Sequence, residues 1–329
     1  MKIAITGGGG MVGRKLAERL ARDGKLAGRG ISGLTLYDVV APAAPAGAKF
    51  PVTLLTGDLP AHGEADKLLA NRPDVIFHLA AIVSGEAEFD FDKGYRINLE
   101  GTQRLLESAR HLYADAAKKP RLVFASSIAV FGAPFPERIG DEFVSAPLTS
   151  YGTQKAIGEL LLNDYTRKGF VDGVGIRLPT ICIRPGKPNK AASGFFSNIC
   201  REPLAGLEAV LPVADDVMHW HASPRAGVGF LLRAAEIPGE EVGPRRCLSM
   251  PGLAVTVGEQ IAALRKAGGE AVVRRIRREP DPFIAKIVAG WPRAFEAKRA
   301  LALGFKGDAS FEDIVRIHIE DELHGRVAG

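Results

Sequence analysis

Apolar residues in the first half of this chain come in short bursts, each followed by a longer stretch in which they recur at helical spacing. Lys2-Ile3-Ala4-Ile5, Leu34-Thr35-Leu36-Tyr37-Asp38, Val52-Thr53-Leu54-Leu55, Asp74-Val75-Ile76-Phe77-His78-Leu79 and Arg121-Leu122-Val123-Phe124-Ala125-Ser126 read as strands. Residues 11–22 and 99–112 place their apolar groups along one helix face. Strand, crossover and strand in that order close through right-handed connections into a parallel sheet. The expected fold is a doubly wound α/β domain. After Arg177 the pattern changes to proline-rich loops, a short strand at Arg246-Cys247-Leu248-Ser249-Met250 and helices over 257–266 and 311–323, which read as a smaller α/β cap.

The first strand runs straight into Thr6-Gly7-Gly8-Gly9-Gly10-Met11-Val12-Gly13. Gly7, Gly10 and Gly13 stand at the spacing of a dinucleotide-binding turn. One glycine supplies positive φ, the next lets backbone approach a pyrophosphate, and the last lets the helix pack on the strand. The helix opening at Met11 and Val12 then turns its free amides and positive dipole end toward that anion. The second strand ends in Asp38, where a carboxylate takes the adenosine ribose hydroxyls. Its distance from Gly13 exceeds the usual separation of about 20, and the loop 24–30 absorbs the excess. Val39 and Val40 follow Asp38 instead of a basic residue, so nothing would neutralise a 2′-phosphate and NAD is favoured over NADP. Asp58 and Leu59 close the third strand, with the acid placed either to accept from an adenine amino group or to cap a helix. Leu79-Ala80-Ala81 closes the fourth with small residues that let a cofactor lie against backbone.

Composition narrows the setting more than the chemistry. With 46% apolar and 25% charged residues among 329, the chain can fill one large or two modest cores. Cys182, Cys200 and Cys247 have neither paired nor metal-ligand spacing, so they read as small core residues in a reducing compartment, and no metal is expected. No run reaches the roughly 20 apolar residues that span a bilayer, and too few precede the glycines for a signal peptide; a cytoplasmic protein without membrane contact is expected. The net charge of +5 is modest. Its densest basic run, Arg274-Arg275-Ile276-Arg277-Arg278, lacks stacking aromatics and reads as a solvated strand, so no nucleic acid is expected.

Candidate chemistry lies in Ser126-Ser127 and in Tyr151-Gly152-Thr153-Gln154-Lys155, which opens a helical pattern running through Leu162. Tyr151 and Lys155 are four apart and share a helix face. A phenol ionises near pH 10 and serves as a base at neutral pH only when positive charge favours phenolate. Lys155 and an oxidised nicotinamide supply that charge. Tyr151 would take the proton of a substrate hydroxyl while hydride leaves the same carbon, with Ser127 donating a hydrogen bond to that oxygen.

Taken together, the glycine turn, Asp38, Asp58, His78 to Ala81, Ser127-Ile128-Ala129-Val130-Phe131-Gly132 and Tyr151 to Lys155 resemble the extended short-chain dehydrogenases/reductases over nearly the whole chain. The resemblance implies a Rossmann-type NAD-binding sheet over 1–178, a C-terminal substrate-binding cap mainly over 179–329, and a segment of about 215–245 that returns to the first part. It selects Ser127 over Ser126, because the family sets its serine or threonine five residues before a glycine. It marks Asn98 as the family's helix asparagine, sets Pro179 and Thr180 beside the cofactor, and makes a homodimer through paired helices an expectation.

Where sugar-nucleotide enzymes of that family read Arg-Tyr-Phe-Asn, this chain reads Arg177-Leu178-Pro179-Thr180. Thr180 lacks the amide that would reach a substrate diphosphate, which implies a smaller substrate. Val83-Ser84-Gly85-Glu86-Ala87-Glu88, Gly152 to Glu159 and Arg177 to Asn189 resemble the D-erythronate dehydrogenase branch. That narrower resemblance implies NAD-dependent oxidation of a four-carbon sugar acid at C2, giving 2-dehydro-D-erythronate. The alternatives are a nucleotide-sugar epimerase or dehydratase with tightly bound NAD, and a non-catalytic NAD sensor. A sugar-acid carboxylate beside NAD needs a cation, and Arg184 and Lys187 are the nearest candidates, unless the turn-rich 183–189 segment is a solvated loop. Ser84 either meets substrate oxygens or satisfies loop backbone. His219-Trp220-His221 reads as partly buried packing and stays outside the candidate site.

Overall fold

In the computed structural model, which describes residues 1–186 and 193–328, the apolar bursts become strands of one large sheet. Strand β1 (Lys2–Thr6) leads into α1 (Met11–Asp23), β2 (Gly33–Asp38), β3 (Val52–Thr56), β4 (Val75–His78), α2 (Gly101–Leu112), β5 (Arg121–Ser127), α3 (Ser150–Arg167) and β6 (Asp172–Leu178). The chain continues through β7 (Thr180–Ile181), α4 (Gly194–Leu204), β8 (Met218–Ala222), α5 (Pro224–Glu236), β9 (Cys247–Ser249), β10 (Leu253–Thr256), α6 (Val257–Val273) and α7 (Phe311–Glu322). Seven strands pair in the order β9-β6-β5-β4-β1-β2-β3, every pair parallel. Strand order reverses beside β1, so the C-terminal ends of β1 and β4 part there and leave the crevice in which such sheets hold ligands.

Alternation along β1 assigns its faces. Ile3 and Ile5 pack with Leu16 and Leu20 of α1 and Phe230 of α5, while Ala4 faces Leu105 and Leu106 of α2 and Leu162 of α3. Both faces are covered, which is why the strands read as nearly continuous apolar runs. Helix α5 packs against α1, β5 and β6, and β9 completes the sheet beside β6. Strand β8, which falls inside the returning segment expected from about 215, lies instead in a three-stranded sheet, β7-β8-β10. It pairs parallel with β7 and antiparallel with β10, and the chain turns back toward the large sheet at Ser223, whose side chain caps α5. A second core joins Phe195, Phe196 and Ile199 of α4 to Ile261 and Leu264 of α6 and Ile314 of α7, with Cys182 and Cys200 among them. All three thiols are free. The basic run forms a short strand, Ile276–Arg278, paired with Ala209–Leu211, and Arg278 lies 2.8 Å from Asp215. Among the described residues no helix is long and apolar enough to cross a membrane.

A buried histidine ties the sheet ends together. His78 Nδ1 lies 2.8 Å from Thr6 Oγ1 and Nε2 lies 2.9 Å from Thr102 Oγ1. Thr102 already donates to the Asn98 carbonyl at 2.7 Å, so it accepts from His78, and the neutral ring carries its proton on Nε2. Burial pushes the His78 pKa down to about 3, with Lys155 acting in the same direction. Thr6 Oγ1 in turn accepts from the Leu79 and Ala80 amides, at 3.2 Å each, which sets the loop after β4 against β1.

Two expectations follow from this packing. A Cβ on Gly13 would stand 2.1 Å from the Gly7 carbonyl oxygen, with Gly7 itself at φ +74°, so Gly13→Ala should cost about 1–3 kcal/mol in urea unfolding. Because the folded state keeps His78 neutral, only unfolded chains take up its proton between pH 6.5 and 3, and stability should fall as pH is lowered through that window. The loss attributable to His78 at pH 5 is about 2 kcal/mol. It is checked by comparing the pH 7-to-5 change in urea stability between wild type and His78→Gln; an equal change in both would refute it.

Candidate active site

Where the ends of β1, β4, β5 and β6 face the cap, a cavity of about 530 Å³ opens. The turn after β1 contributes Gly7, Gly10, Met11, Val12 and Gly13 to its wall, and the segment after β4 contributes Leu79, Ala81 and Ser84. Ser127 comes from the end of β5, Tyr151 and Lys155 from α3, and Pro179, Thr180 and Arg184 from the chain after β6. The remaining sequence candidates lie off this wall. Asp38 accepts from the Gly9 amide at 2.9 Å and so shapes the glycine turn. Asp58 pairs with Arg96 at 2.6 Å on the surface and caps no helix, since Gly63 precedes the next one, Glu64–Leu69. Leu59 is buried in the core, and Ala80 offers its amide to Thr6. Asn98 sits in a π-helical turn, Tyr95–Glu100, exchanges hydrogen bonds with the Ile82 backbone and donates to Gln154 at 2.8 Å. It braces the loop after β4 against α3.

Close backbone contact sets the three candidate catalytic side chains. A Cβ on Gly152 would meet the Ala129 carbonyl oxygen at 2.1 Å, so the first turn of α3 rests on the turn that follows Ser127. Thr149 fixes where α3 starts by accepting from the Gly152 amide at 3.1 Å. Ser127 Oγ accepts from the Ala129 amide at 3.1 Å, which leaves its proton to donate. Lys155 Nζ donates to the Ala125 carbonyl at 2.8 Å and lies 5.7 Å from the centre of the Tyr151 ring. Burial pulls the Lys155 pKa down to about 8 against the opposing charge of Glu159, so the ammonium persists at pH 7. Burial raises the Tyr151 phenol above its ordinary value, while hydrogen bonding with Ser127 and the charge of Arg184 pull it back. The sequence assigned that electrostatic support to Lys155 and an oxidised nicotinamide; among the protein's own charges it is Arg184 that lowers the phenol here.

On the cap side Arg184 is held by its own surroundings. Nε donates to the Ile181 carbonyl at 3.0 Å, Nη2 to Ser193 Oγ at 3.1 Å, and its amide to Ser197 Oγ at 3.0 Å. Burial lowers its pKa, yet a guanidinium remains charged, and none of the residues lining the cavity is acidic. Lys187, the other sequence candidate, lies outside the described residues. His219 lines the cavity with its Nε2 2.7 Å from Thr180 Oγ1, although the sequence had placed it in the packing. Its neighbours behave as packing does: Trp220 donates to the Met250 carbonyl and His221 meets Gln260 in the core. Ser193, Ser197, Asn198 and Trp291 also reach the cavity. They carry no local signal: Ser193, Ser197 and Asn198 come from the start of α4 and Trp291 from a distant part of the cap.

Comparison with known proteins narrows what such a site belongs to. D-erythronate dehydrogenase of Cupriavidus necator is 47% identical over 98% of both chains, and that of Haemophilus influenzae is 44% identical over 98% of this chain and all of its own. A solved structure described as a nucleoside-diphosphate-sugar epimerase from Agrobacterium tumefaciens superimposes with a TM-score of 0.97 at 64% identity, covering all of this chain and 96% of the other. A holo L-threonine dehydrogenase from C. necator, 22% identical over 98% of this chain and all of its own, shares the fold with a TM-score of 0.83. The family profile runs over residues 3–220 and so spans both the glycine turn and the Tyr151 helix; with full-length relatives above two-fifths identity beside it, the chain belongs to the NAD dependent epimerase/dehydratase family.

Proposed function

We propose that this chain is an NAD-dependent dehydrogenase that oxidises D-erythronate at C2 to 2-dehydro-D-erythronate. The observation that carries this reading is Arg184: a buried guanidinium with no acidic partner among the described residues of the cavity wall, within electrostatic reach of Tyr151. A buried cation so placed suits a carboxylate next to the reacting alcohol. The names of the C. necator and H. influenzae relatives support the choice of acid.

The residues present fit the cofactor. The β1–α1 turn is a cradle that a Cβ on Gly13 would fill, and Asp38 ends β2 without a basic neighbour at Val39 or Val40. Gly7, Gly10, Met11, Val12 and Gly13 would hold the pyrophosphate, Asp38 the adenosine ribose, Asp58 and Leu59 the adenine, and Leu79, Ala80, Ala81 and Pro179 the path to the nicotinamide. Asn98 serves that path from behind, through Ile82. Residues 1–178 thus bind NAD, and 179–329 mainly shape the pocket for the acid. When bound, NAD supplies the hydride acceptor. Arg184 then anchors the carboxylate with Ser84 beside it, Ser127 donates to the C2 oxygen, and Tyr151 removes its proton. Lys155 and Arg184 hold positive charge near the Tyr151 oxygen, the condition under which a buried phenol can serve as the base.

The description of the Agrobacterium structure favours a second reading, an epimerase that takes back its own hydride. Such an enzyme accumulates no NADH. Following NADH absorbance with D-erythronate and with nucleotide sugars therefore separates the two: release with the acid supports dehydrogenation, and silence with altered nucleotide sugar refutes it. Tyr151→Phe keeps the ring and loses the proton acceptor, so kcat in that assay should fall by about 10²–10⁴-fold. Arg184→Gln should raise KM for the acid at least about tenfold, a loss of about 1.4 kcal/mol, while the Kd for NAD measured by calorimetry changes little.

A further inference from the structure

We propose that Thr180, oriented by His219, accepts a hydrogen bond from a substrate hydroxyl beyond the carbon that is oxidised, and that this pair makes the enzyme require a polyhydroxylated acid. The inference rests on the dehydrogenase reading above and adds a specificity element to it.

Both side chains line the cavity, and their Oγ1 and Nε2 lie 2.7 Å apart. Burial pushes the His219 pKa down to about 4, and the Arg184 charge acts the same way, so the ring is neutral at working pH and owns a single N–H. Nδ1 makes no full hydrogen bond, but the Pro292 carbonyl acts on the ring in the sense that favours a bound proton. We take the proton to sit on Nδ1, which leaves Nε2 a lone pair 2.7 Å from Thr180 Oγ1, and the His219→Phe variant below tests that assignment. The ring stays in this orientation because it stacks on Phe196, centroids 5.1 Å apart and planes within 3°, with Trp291 on it at 5.4 Å.

The consequence falls on Thr180. Its only proton goes to Nε2, so its oxygen can only accept from the cavity. A substrate hydroxyl, which has a proton to give, fits that oxygen. A carboxylate or carbonyl would bring lone pair against lone pair and leave both groups desolvated without a partner. Arg184, on the same wall, only donates. The cavity is therefore polar in a fixed sense, with the carboxylate directed to Arg184 and a hydroxyl to Thr180. A hydroxy diacid should be refused for the same reason. This use of the Thr180 hydroxyl is separate from any contact that its backbone makes with the cofactor.

The experiment measures kcat/KM for D-erythronate, its 3-deoxy and 4-deoxy analogues and a four-carbon hydroxy diacid, in wild type, Thr180→Val, Thr180→Ser and His219→Phe. Comparing substrates on one enzyme sample cancels any loss of folded protein. Wild type should favour D-erythronate over at least one deoxy analogue by about 10–100-fold, as sites built to bond a hydroxyl do. That ratio should collapse to within about threefold in Thr180→Val and persist in Thr180→Ser. His219→Phe, which keeps the stacking but removes the acceptor, should lower the ratio and admit the diacid, because the threonine proton is then free to donate. NADH release from D-erythronate with a ratio unchanged in Thr180→Val or His219→Phe overturns this inference alone. Failure of wild type to produce NADH from any hydroxy acid overturns the dehydrogenase reading and this inference with it.

Discussion

Glu159 brings a carboxylate into the interior, where it accepts from Ser126 Oγ at 2.5 Å and from Arg177 Nε and Nη2 at 2.9 and 2.7 Å. One side chain on α3 thereby ties the ends of β5 and β6. Ser126 precedes Ser127, Lys155 lies one turn before Glu159, and Tyr151 one turn before that, so the same joint sets all three in register. Arg177 is itself pinned, its guanidinium 4.9 Å from the Phe131 ring. A buried ion pair of this kind adds little net stability relative to an apolar pair, but breaking one half costs about 3–5 kcal/mol. Its contribution here is position: α3 cannot slide along the sheet without stranding a charge.

The cavity next to that joint shows what burial does to ionisable groups that lack such partners. Burial lowers Lys155 to about 8 and His219 to about 4, and it raises Tyr151. The cations on the cavity wall are Lys155, Arg184 and Arg201, the last paired with Glu202, and none of the described lining residues is acidic. In the proposed reading an anionic substrate restores what the protein gave up by desolvating them, with its carboxylate directed to Arg184.

The large sheet is shared widely. Solved structures at 21–22% identity share the fold over nearly the whole chain. Just past β6, Pro179 and Thr180 lead into the cap, which lays further side chains along the wall of the crevice. Thr180, at the position where the resemblance implies an amide in sugar-nucleotide enzymes, is hydrogen-bonded to His219 instead.

The parts of this protein legible in its residues are those in which one stretch of chain decides its own geometry. Alternating and helical spacing marked the strands and helices of the large sheet; glycine spacing marked the β1–α1 turn; and a separation of four put Tyr151 and Lys155 on one helix face. Arg184 stood out because it closely follows the strand end. His219, Ser193, Ser197, Asn198 and Trp291 were decided by tertiary structure alone, since they meet only when the apolar faces of α4, β8 and the chain before residue 298 close on one another. The same packing moved β8 out of the returning segment, made Asn98 a brace and gave Asp58 to Arg96. Local spacing fixes dihedral angles and faces, whereas which faces bury each other depends on the shape of the whole core, and that shape is not written at any one position.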